Sequence, residues 1–523
     1  MDDMSEIEKG DGVIDAFVFD MDGVVTNTAD VHFAAWKEVF DDLLRHRADG
    51  DYKPFSRADY LAHVDGIPRY DGVRAFLRSR GIDLPEGDED DESETTVRGL
   101  GNRKNERFQA WLDRNQVPVF GDARRLIDVL RRNDVKVGVF SASRNASRVL
   151  ESAGVRDLFD AAIDGIEADD LGLAPKPEAD ILVEMARRLG CAPAHAAIVE
   201  DAVSGVGAGS SGRFGLVVGV NRQQEDSRRQ AHALRANGAD LVVPDLERLL
   251  IDGQSLRTMN RLPDVWDHAA ALQDRLGGRI ALFLDYDGTL TPIVEDYRKA
   301  DISDAMVNEI RRAAERHPTA IISGRDLDDV RSRVGLERVF YAGSHGFDIA
   351  GPGGFHKRPE EADSFVQLLD EAEKELAGPI RRIPGAEIER KTFSIALHFR
   401  KVSDADTPEL EQAVDDTVKR HSKLRKSRGK KVFQIQPRAE WDKGRAVEWL
   451  LEHARLGEDD AMPLYIGDDL TDEDAFGALS GRGITIVVRS GDRFTTADYA
   501  LADPDDVRRF LGWLCEQPAE VMS

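Results

Sequence analysis

Two stretches of this 523-residue chain carry carboxylates at a spacing that could do chemistry: "VFDMDGVV" from Val18 and "LFLDYDGTL" from Leu282. Each ends an apolar run in Asp-x-Asp-Gly, and the first aspartates, Asp20 and Asp285, stand 265 residues apart. One hydroxyl, one lysine and a second acidic group follow each pair in the same order. The first set is Asp20, Asp22, Ser141, Lys176 and Glu200 with Asp201; the second is Asp285, Asp287, Ser323, Lys443 and Asp468 with Asp472. A carboxylate can attack phosphorus and form an aspartyl-phosphate. A hydroxyl and an ammonium can hold the equatorial oxygens of the transferring group, and clustered acids bind Mg2+.

Such sets need elements that bring distant residues together. After "IDAFVFDMDGVV" the chain alternates helical patterns with short β-branched runs: "VKVGVFSAS" at 135, "AAIVED" at 196, "FGLVVGV" at 214 and "ADLVVPD" at 239. The second half repeats the alternation with "RIALFLDYDGTL", "TAIISGR" at 319, "MPLYIGDD" at 462, "GITIVV" at 483 and "ADYALAD" at 497. This pattern predicts an α/β fold of two tandem, doubly wound, Rossmann-like parallel-sheet domains. The polar residues follow the apolar runs directly, which places them at the carboxyl ends of strands, where open α/β sheets bind ligands. Similar endings, "GADLVVPDLERLL" and "TADYALADPDDVRRFL", bound the domains at 1–250 and 277–523, with a partly helical linker over 251–276.

The gaps between site residues differ in an informative way. Asp22 to Ser141 is 119 residues and Ser141 to Lys176 is 35, whereas Asp287 to Ser323 is 36 and Ser323 to Lys443 is 120. A strand–helix–strand crossover needs only about 30 residues, so each half holds a large insertion, in a different gap. The first, about 29–115, has apolar residues at i, i+3, i+4 spacing and reads as a helical cap. The second, about 350–436, contains the alternating runs "FSIALHF" and "VFQIQ" and reads as an α+β cap. Caps exclude water and select the substrate, so the two halves are expected to act on different molecules.

Four ordered elements in each half resemble the haloacid dehalogenase-like phosphotransferases. "FDMDGVVTNTADVHFAAWK", "VDGIPR", "RKN", "SASRN" and "IVEDAVSG" resemble β-phosphoglucomutase. That resemblance implies Asp20 as nucleophile and Asp22 as acid/base, with Ser141 and Lys176 on the phosphoryl group. It also implies Mg2+ held by Asp20, Asp201 and the Asp22 carbonyl, supported by Glu200. Arg69, Ser143 and Arg144 match positions that grip a distal phosphate, and Thr28, His32 and Lys104 match positions that couple cap closure to catalysis. His32 and Trp36, four apart on a helix, also read as packing. For this half, hydrolysis of a small sugar phosphate and a non-catalytic sensing or scaffold role stay open beside the mutase reading.

"FLDYDGTLTPI", "IISGRDLDDV", "YAGSHGFDI", "EIERKTFSIALHFR", "EWDKGRAVEWL" and "YIGDDLTDEDAF" resemble trehalose-6-phosphate phosphatase. The resemblance implies Asp285 as nucleophile, Asp287 as general acid and then base, and Ser323 and Lys443 as phosphoryl clamps. One Mg2+ would sit among Asp285, Asp287 and Asp468, with Asp469 and Asp472 supplying or orienting its outer sphere. Arg325, His345, Glu389, Lys391, His398 and Arg400 match positions around the sugar and its phosphate. Glu389 and Lys391, two apart in a strand, face the same side, and a surface ion pair is their simpler reading.

Composition narrows the partners. With 71 basic against 98 acidic residues the net charge is −27, which repels phosphate backbones and anionic lipids and argues against nucleic acid and membrane partners. Cys191 and Cys515 are too few for a disulfide framework. The opening "MDDMSEIEKGDG" lacks the cationic flank and apolar stretch of a secretion signal, so a cytoplasmic protein is expected, and the two resemblances imply small sugar phosphates as its partners. "HSKLRKSRGKK" at 421 reads as a solvated basic loop.

Overall fold

The computed structural model describes residues 14–516 apart from 48–51, 65–66, 224–226, 277, 295–298, 404, 430–431, 440, 455 and 458–460. The opening stretch on which the secretion argument rests, and Asp65 and Gly66 of "VDGIPR", lie outside the described residues. The chain forms two compact units, Met1–Leu256 and Arg257–Ser523. Among the described residues no helix is long and apolar enough to cross a membrane.

Unit 1 is built on six parallel strands: β1 (Ala16–Asp20), β2 (Lys136–Phe140), β3 (Ala161–Ile163), β4 (Ala196–Glu200), β5 (Leu216–Val220) and β6 (Leu241–Val243), in the order β3-β2-β1-β4-β5-β6. Every residue of β1, β4 and β5 is buried, as expected for strands covered by helices on both faces. The order reverses between β1 and β4, which creates the crevice where such sheets take ligands. A short hairpin, β7 (Leu250–Ile251) with β8 (Ser255–Leu256), ends the unit. Between β1 and β2 four helices, Ala29–Arg47, Arg57–His63, Arg69–Ser79 and Val97–Leu112, form a layer of their own. Trp36, Phe40, Phe55 and Phe76 fill its core, with Phe40 4.2 Å from Phe76 and stacked at 4.9 Å on Trp36.

Unit 2 is built on an eight-stranded sheet. Its strands are β9 (Ile280–Leu284), β10 (Thr319–Ile322), β11 (Phe340–Gly343), β12 (Asp348–Gly351), β13 (Phe355–Lys357), β18 (Met462–Gly467), β19 (Ile484–Val488) and β20 (Tyr499–Leu501), and they run β13-β12-β11-β10-β9-β18-β19-β20. All neighbours are parallel except β11–β12 and β12–β13. Residues 350–357, expected at the start of the cap, therefore belong with β12 and β13 to the core sheet: the turn after β11 is short enough to fold the chain back antiparallel. The α+β layer begins with helix Ala362–Ile380 and holds the sheet β14 (Glu387–Lys391), β15 (Ser394–His398), β17 (Val432–Pro437) and β16 (Leu424–Gly429), antiparallel in that order, backed by helix Thr407–Arg420. The basic stretch at 421, expected as a loop, contributes edge strand β16; Lys426 reaches Glu411 and Asp415 of that helix at 3.0 and 2.5 Å. These ion pairs offset the charge of Lys426 in a strand whose composition alone reads as solvated.

The stretch read as a linker, 251–276, is divided between the units. Residues 251–256 belong to the hairpin of unit 1. Beyond it, Trp266 donates to Asp506 at 3.1 Å, Arg489 pairs with Asp264 at 2.9 Å, and Leu272 and Leu276 enter the apolar core of unit 2.

Candidate active site

Each Asp-x-Asp-Gly leaves its strand through the same turn. In unit 1 the Gly23 N–H donates to Thr26 O at 2.9 Å and the Thr26 N–H to Met21 O at 2.8 Å. In unit 2 the Gly288 N–H donates to Thr291 O at 2.8 Å and the Thr291 N–H to Tyr286 O at 3.1 Å. Both glycines have left-handed backbones, φ +86° and +83°, which only glycine adopts without strain. Their missing side chains leave room for a carboxylate from the central neighbouring strand. A Cβ on Gly23 would stand 1.9 Å from Asp201 Oδ2, and one on Gly288 2.1 Å from Asp468 Oδ2.

In unit 1, Lys176 joins the nucleophile position to the second acidic cluster: its Nζ donates to Asp20 Oδ1 at 2.6 Å and also to Glu200 Oε1. The other Glu200 oxygen accepts from the Ala202 N–H at 2.9 Å. Burial pushes the Asp20 carboxyl up to about 8 against the attraction of Lys176, with Glu200 and Asp22 adding repulsion. Asp22 is bonded differently, by two neutral donors, Thr28 Oγ1 and, at 3.1 Å, Ser141 Oγ. Burial raises its pKa, and these hydroxyls only partly offset the rise. A carboxyl in such surroundings keeps its proton more readily, the property a general acid needs.

The helical layer reaches this pair through His32, whose Nε2 lies 3.9 Å from Asp22 Oδ1 while Nδ1 meets Lys104 Nζ at 2.7 Å. His32 also stacks on Phe108 at 4.3 Å, so packing and contact with the site coexist. Burial pushes the Lys104 ammonium down to about 7 and holds His32 well below its ordinary value. Arg69 donates to Asn105 Oδ1 at 2.9 Å, and Asn145 donates to the same oxygen at 2.7 Å. Ser143 Oγ accepts from the Asn145 N–H at 3.2 Å, whereas Arg144 pairs with Asp169 at 3.0 Å on an exposed face. Asn105 and Asn145 were not singled out from the sequence, although both lie inside quoted motifs.

In unit 2 the counterpart lysine, Lys443, donates to Asp285 Oδ1 at 2.6 Å and Asp472 Oδ1 at 2.7 Å. Burial raises Asp285 and Asp468 well above the ordinary carboxylate range; Lys443 opposes this at both, and neighbouring carboxylates reinforce it. Burial would also raise Asp469, yet Lys443 and the Thr471 hydroxyl hold it low. Asp287 differs from Asp22: Arg325 grips both its oxygens, Nε to Oδ2 at 2.7 Å and Nη2 to Oδ1 at 2.6 Å, and its remaining nitrogen donates to Asp329 at 2.8 Å. Asp329 was missed, although its place four residues after Arg325 at a helix start was a usable signal. Ser323 Oγ accepts from the Arg325 N–H at 3.1 Å.

His345 is held in a left-handed backbone, φ 57°, by its N–H to Ser323 O at 2.8 Å, and its ring lies over Gly324, where a Cβ would approach it to 2.8 Å. Burial and the nearby Lys443 lower its pKa to about 3. Lys391 and Arg425 of the cap sheet act on it electrostatically as well, so the face of that sheet bearing Glu389 and Lys391 addresses the site. On that face His398 meets Glu389 at 2.8 Å and Lys391 lies 4.0 Å from it. Arg400 is exposed in the turn beyond β15.

Asp285, Asp468 and Asp472 each offer an oxygen within 4.8 Å of the others, a hard donor set suited to Mg2+. Asp472 is already saturated: Lys443 and Tyr465 donate to one oxygen, each at 2.7 Å, and the N–H groups of Asp468 and Asp469 to the other at 2.9 and 3.0 Å. Asp285 and Asp468 are therefore the direct candidates and Asp472 orients them. Asp469 caps the short turn after β18, accepting from the Thr471 and Asp472 N–H groups. Asp287 turns its carboxylate to Arg325. In unit 1 the residues at the corresponding sequence positions are Asp20 and Asp201, the latter packed against Gly23, with Glu200 taken by Lys176.

Comparison with known proteins agrees with this division. Residues 14–212 match the haloacid dehalogenase-like hydrolase family and residues 283–505 the trehalose-phosphatase family. An uncharacterized glycosyl hydrolase of Mycobacterium tuberculosis is 37% identical over 510 residues, 96% of this chain, which spans 38% of that relative's length. A crystal structure of β-phosphoglucomutase from Clostridium difficile is 26% identical, covering 46% of this chain and 95% of its own, with a TM-score of 0.35. The trehalose-phosphate phosphatase of Mycobacterium tuberculosis is 38% identical over 346 residues, 65% of this chain and 86% of its own, so the chain belongs to the trehalose-phosphate phosphatase family, with a haloacid dehalogenase-like hydrolase domain in its first unit.

Proposed function

We propose that unit 2 hydrolyses trehalose 6-phosphate to trehalose and phosphate with Mg2+, and that unit 1 is a second phosphotransferase acting on a smaller sugar phosphate. The observation that supports the reading of unit 2 is a nucleophile-type carboxylate, Asp285, salt-bridged by buried Lys443, together with a cap hairpin carrying Glu389 and Lys391 whose Thr392 N–H is bonded to Asp326 beside Arg325. Asp285 attacks phosphorus as the bond to the sugar oxygen breaks, and Asp287 gives that oxygen a proton. Water then attacks the aspartyl-phosphate, Asp287 takes its proton, and phosphate leaves. Ser323 and Lys443 hold the phosphoryl oxygens, while Glu389, Lys391 and His398 offer the paired donors and acceptors that a hydroxyl-rich disaccharide needs. Asp285 and Asp468 would hold Mg2+, which supplies charge neutralisation at the phosphoryl group. In unit 1 Asp20, Asp22, Ser141 and Lys176 take the matching parts, with Asp20 and Asp201 as the donors for a second Mg2+.

For unit 1 the mutase reading, β-glucose 1-phosphate to glucose 6-phosphate, is favoured over an idle scaffold because Asp22 is built as an acid, bonded by Thr28 and Ser141. A domain that only senses ligand has no use for that arrangement. The test is a panel of sugar phosphates presented to the full chain with Mg2+ or a chelator, with Asp285→Asn and Asp20→Asn beside the native protein. Loss of trehalose 6-phosphate turnover in Asp285→Asn alone, and of glucose 6-phosphate formation primed with glucose 1,6-bisphosphate in Asp20→Asn alone, is expected. Equal or faster turnover of another disaccharide phosphate overturns the substrate assignment.

A further inference from the structure

One carboxylate beside the unit 2 site has no part in the chemistry above. Asp326 directly follows Arg325 at the position before helix Leu327–Val334 where an aspartate ordinarily caps the first turn, yet its side chain makes no such cap. Both of its oxygens instead accept from the N–H of Thr392, at 3.1 and 3.0 Å, and Ser344 Oγ donates to one of them at 3.0 Å. Thr392 lies in the turn between β14 and β15, next to Lys391, 66 residues along the chain from Asp326. Its other neighbour, Phe393, is 3% exposed and stacks on Phe347 of the core at 5.5 Å. The tip of the cap hairpin is thus pinned to the core at one polar and one aromatic point. The polar point joins the loop that carries Ser323 and Arg325 to the strand that carries Glu389 and Lys391.

We propose that Asp326 is a positioning residue: its bond to the Thr392 N–H registers the sugar-facing cap strands against the phosphoryl site, a role that rests on reading unit 2 as a sugar-phosphate phosphatase. A charge-assisted bond to a backbone donor fixes the main chain itself. The ladder then carries that position along the hairpin, since Lys391 pairs with Ser394, Glu389 with Ala396 and Glu387 with His398. A helix cap is forgone to make the bond, although aspartate at such a site ordinarily stabilises its helix. The bond exists only while the cap is seated, so it favours the seated state by its own strength. Because the acceptor lies on the Arg325 loop, the cap is registered to the residue that grips Asp287.

The test uses the full chain with Asp326→Asn, which keeps a neutral acceptor, and Asp326→Ala, which keeps none. Amide hydrogen exchange at Thr392 should be slowest in the native protein, faster in Asp326→Asn and fastest in Asp326→Ala, with the Ala396 amide unchanged. KM for trehalose 6-phosphate should rise about threefold in Asp326→Asn and about tenfold in Asp326→Ala, the factor that loss of one charge-assisted hydrogen bond corresponds to. Turnover of p-nitrophenyl phosphate, which has no sugar for the cap to read, should stay within about twofold. Unchanged Thr392 exchange overturns the proposal, as does an equal loss on both substrates, which a merely structural residue would give. If the native chain does not hydrolyse trehalose 6-phosphate, the phosphatase reading fails instead, and the graded exchange at Thr392 still decides whether Asp326 seats the cap.

Discussion

A methyl group at Gly288 should silence unit 2 and spare unit 1. The added Cβ would lie 2.1 Å from Asp468 Oδ2, and ordinary contact begins at 3.4 Å, so the carboxylate must retreat by about 1 Å. The left-handed backbone, φ +83°, adds about 1–2 kcal/mol for any residue with a Cβ. For a unit of this size that strain lowers the melting temperature by only a few degrees, roughly 2–4 °C per kcal/mol, so Gly288→Ala should remain folded. Displacing a site carboxylate by that distance should nevertheless lower turnover about 100-fold, and the Mg2+ concentration for half-maximal rate should rise. The assay is phosphate release from trehalose 6-phosphate across a Mg2+ titration, with the unit 1 reaction measured on the same preparation. Gly23→Ala, with its Cβ 1.9 Å from Asp201, should produce the mirror image. Turnover within about twofold of native in folded Gly288→Ala would mean that Asp468 is not where the chemistry needs it.

Three further outcomes are expected. Arg325→Lys keeps the charge but loses the fork that holds both oxygens of Asp287, so trehalose 6-phosphate turnover should fall at least about tenfold, and native rates would remove Arg325 from the mechanism. Lys104, 6% exposed with its ammonium pushed from 10.5 down to about 7, bears its full penalty below pH 7, where folded and unfolded states are both protonated. Between about 7 and 10.5 only the unfolded state holds the proton, so this group's contribution to stability rises with pH. Lys104→Met should therefore raise the melting temperature at pH 6, with a gain that shrinks toward pH 10; a gain independent of pH would contradict the assignment. Finally, the net charge of −27 implies self-repulsion that salt screens, so molar KCl should raise the melting temperature over dilute buffer, and an unchanged value would remove that argument.

The residues proposed to carry the chemistry were readable because each sits where an apolar run stops. Asp20, Ser141 and Glu200 end or directly follow β1, β2 and β4, whose runs are buried throughout apart from Lys136 at the start of β2. The sites' supports were not readable, because their partners are set by tertiary approach. Tyr465 alternates with its strand neighbours as any β residue does, and only the fold turns its hydroxyl to Asp472. Asp326 looks like a helix cap and serves Thr392 instead. Strand β3 is three residues long, too short for a period to register, and β16 hides behind a basic composition that Glu411 and Asp415 neutralise only in space.

The two proposed sites share a leading aspartate, a lysine and a turn, and they differ most in what holds the second aspartate. Asp22 is bonded by hydroxyls, which suit a protonated carboxyl as well as an ionised one, and burial favours the proton. Asp287 is held by a guanidinium that donates to both oxygens. In the proposed mechanism both must begin as acids. Burial moves Asp22 toward that need, whereas both oxygens of Asp287 are occupied by the Arg325 fork, for which an arriving phosphate is the natural competitor. Asp329, which accepts from the remaining guanidinium nitrogen at 2.8 Å, would keep Arg325 in place during that exchange. Substrate binding would then itself free Asp287 in unit 2, while in unit 1 the second aspartate is held by the hydroxyls of Thr28 and Ser141 alone and has no such fork to release.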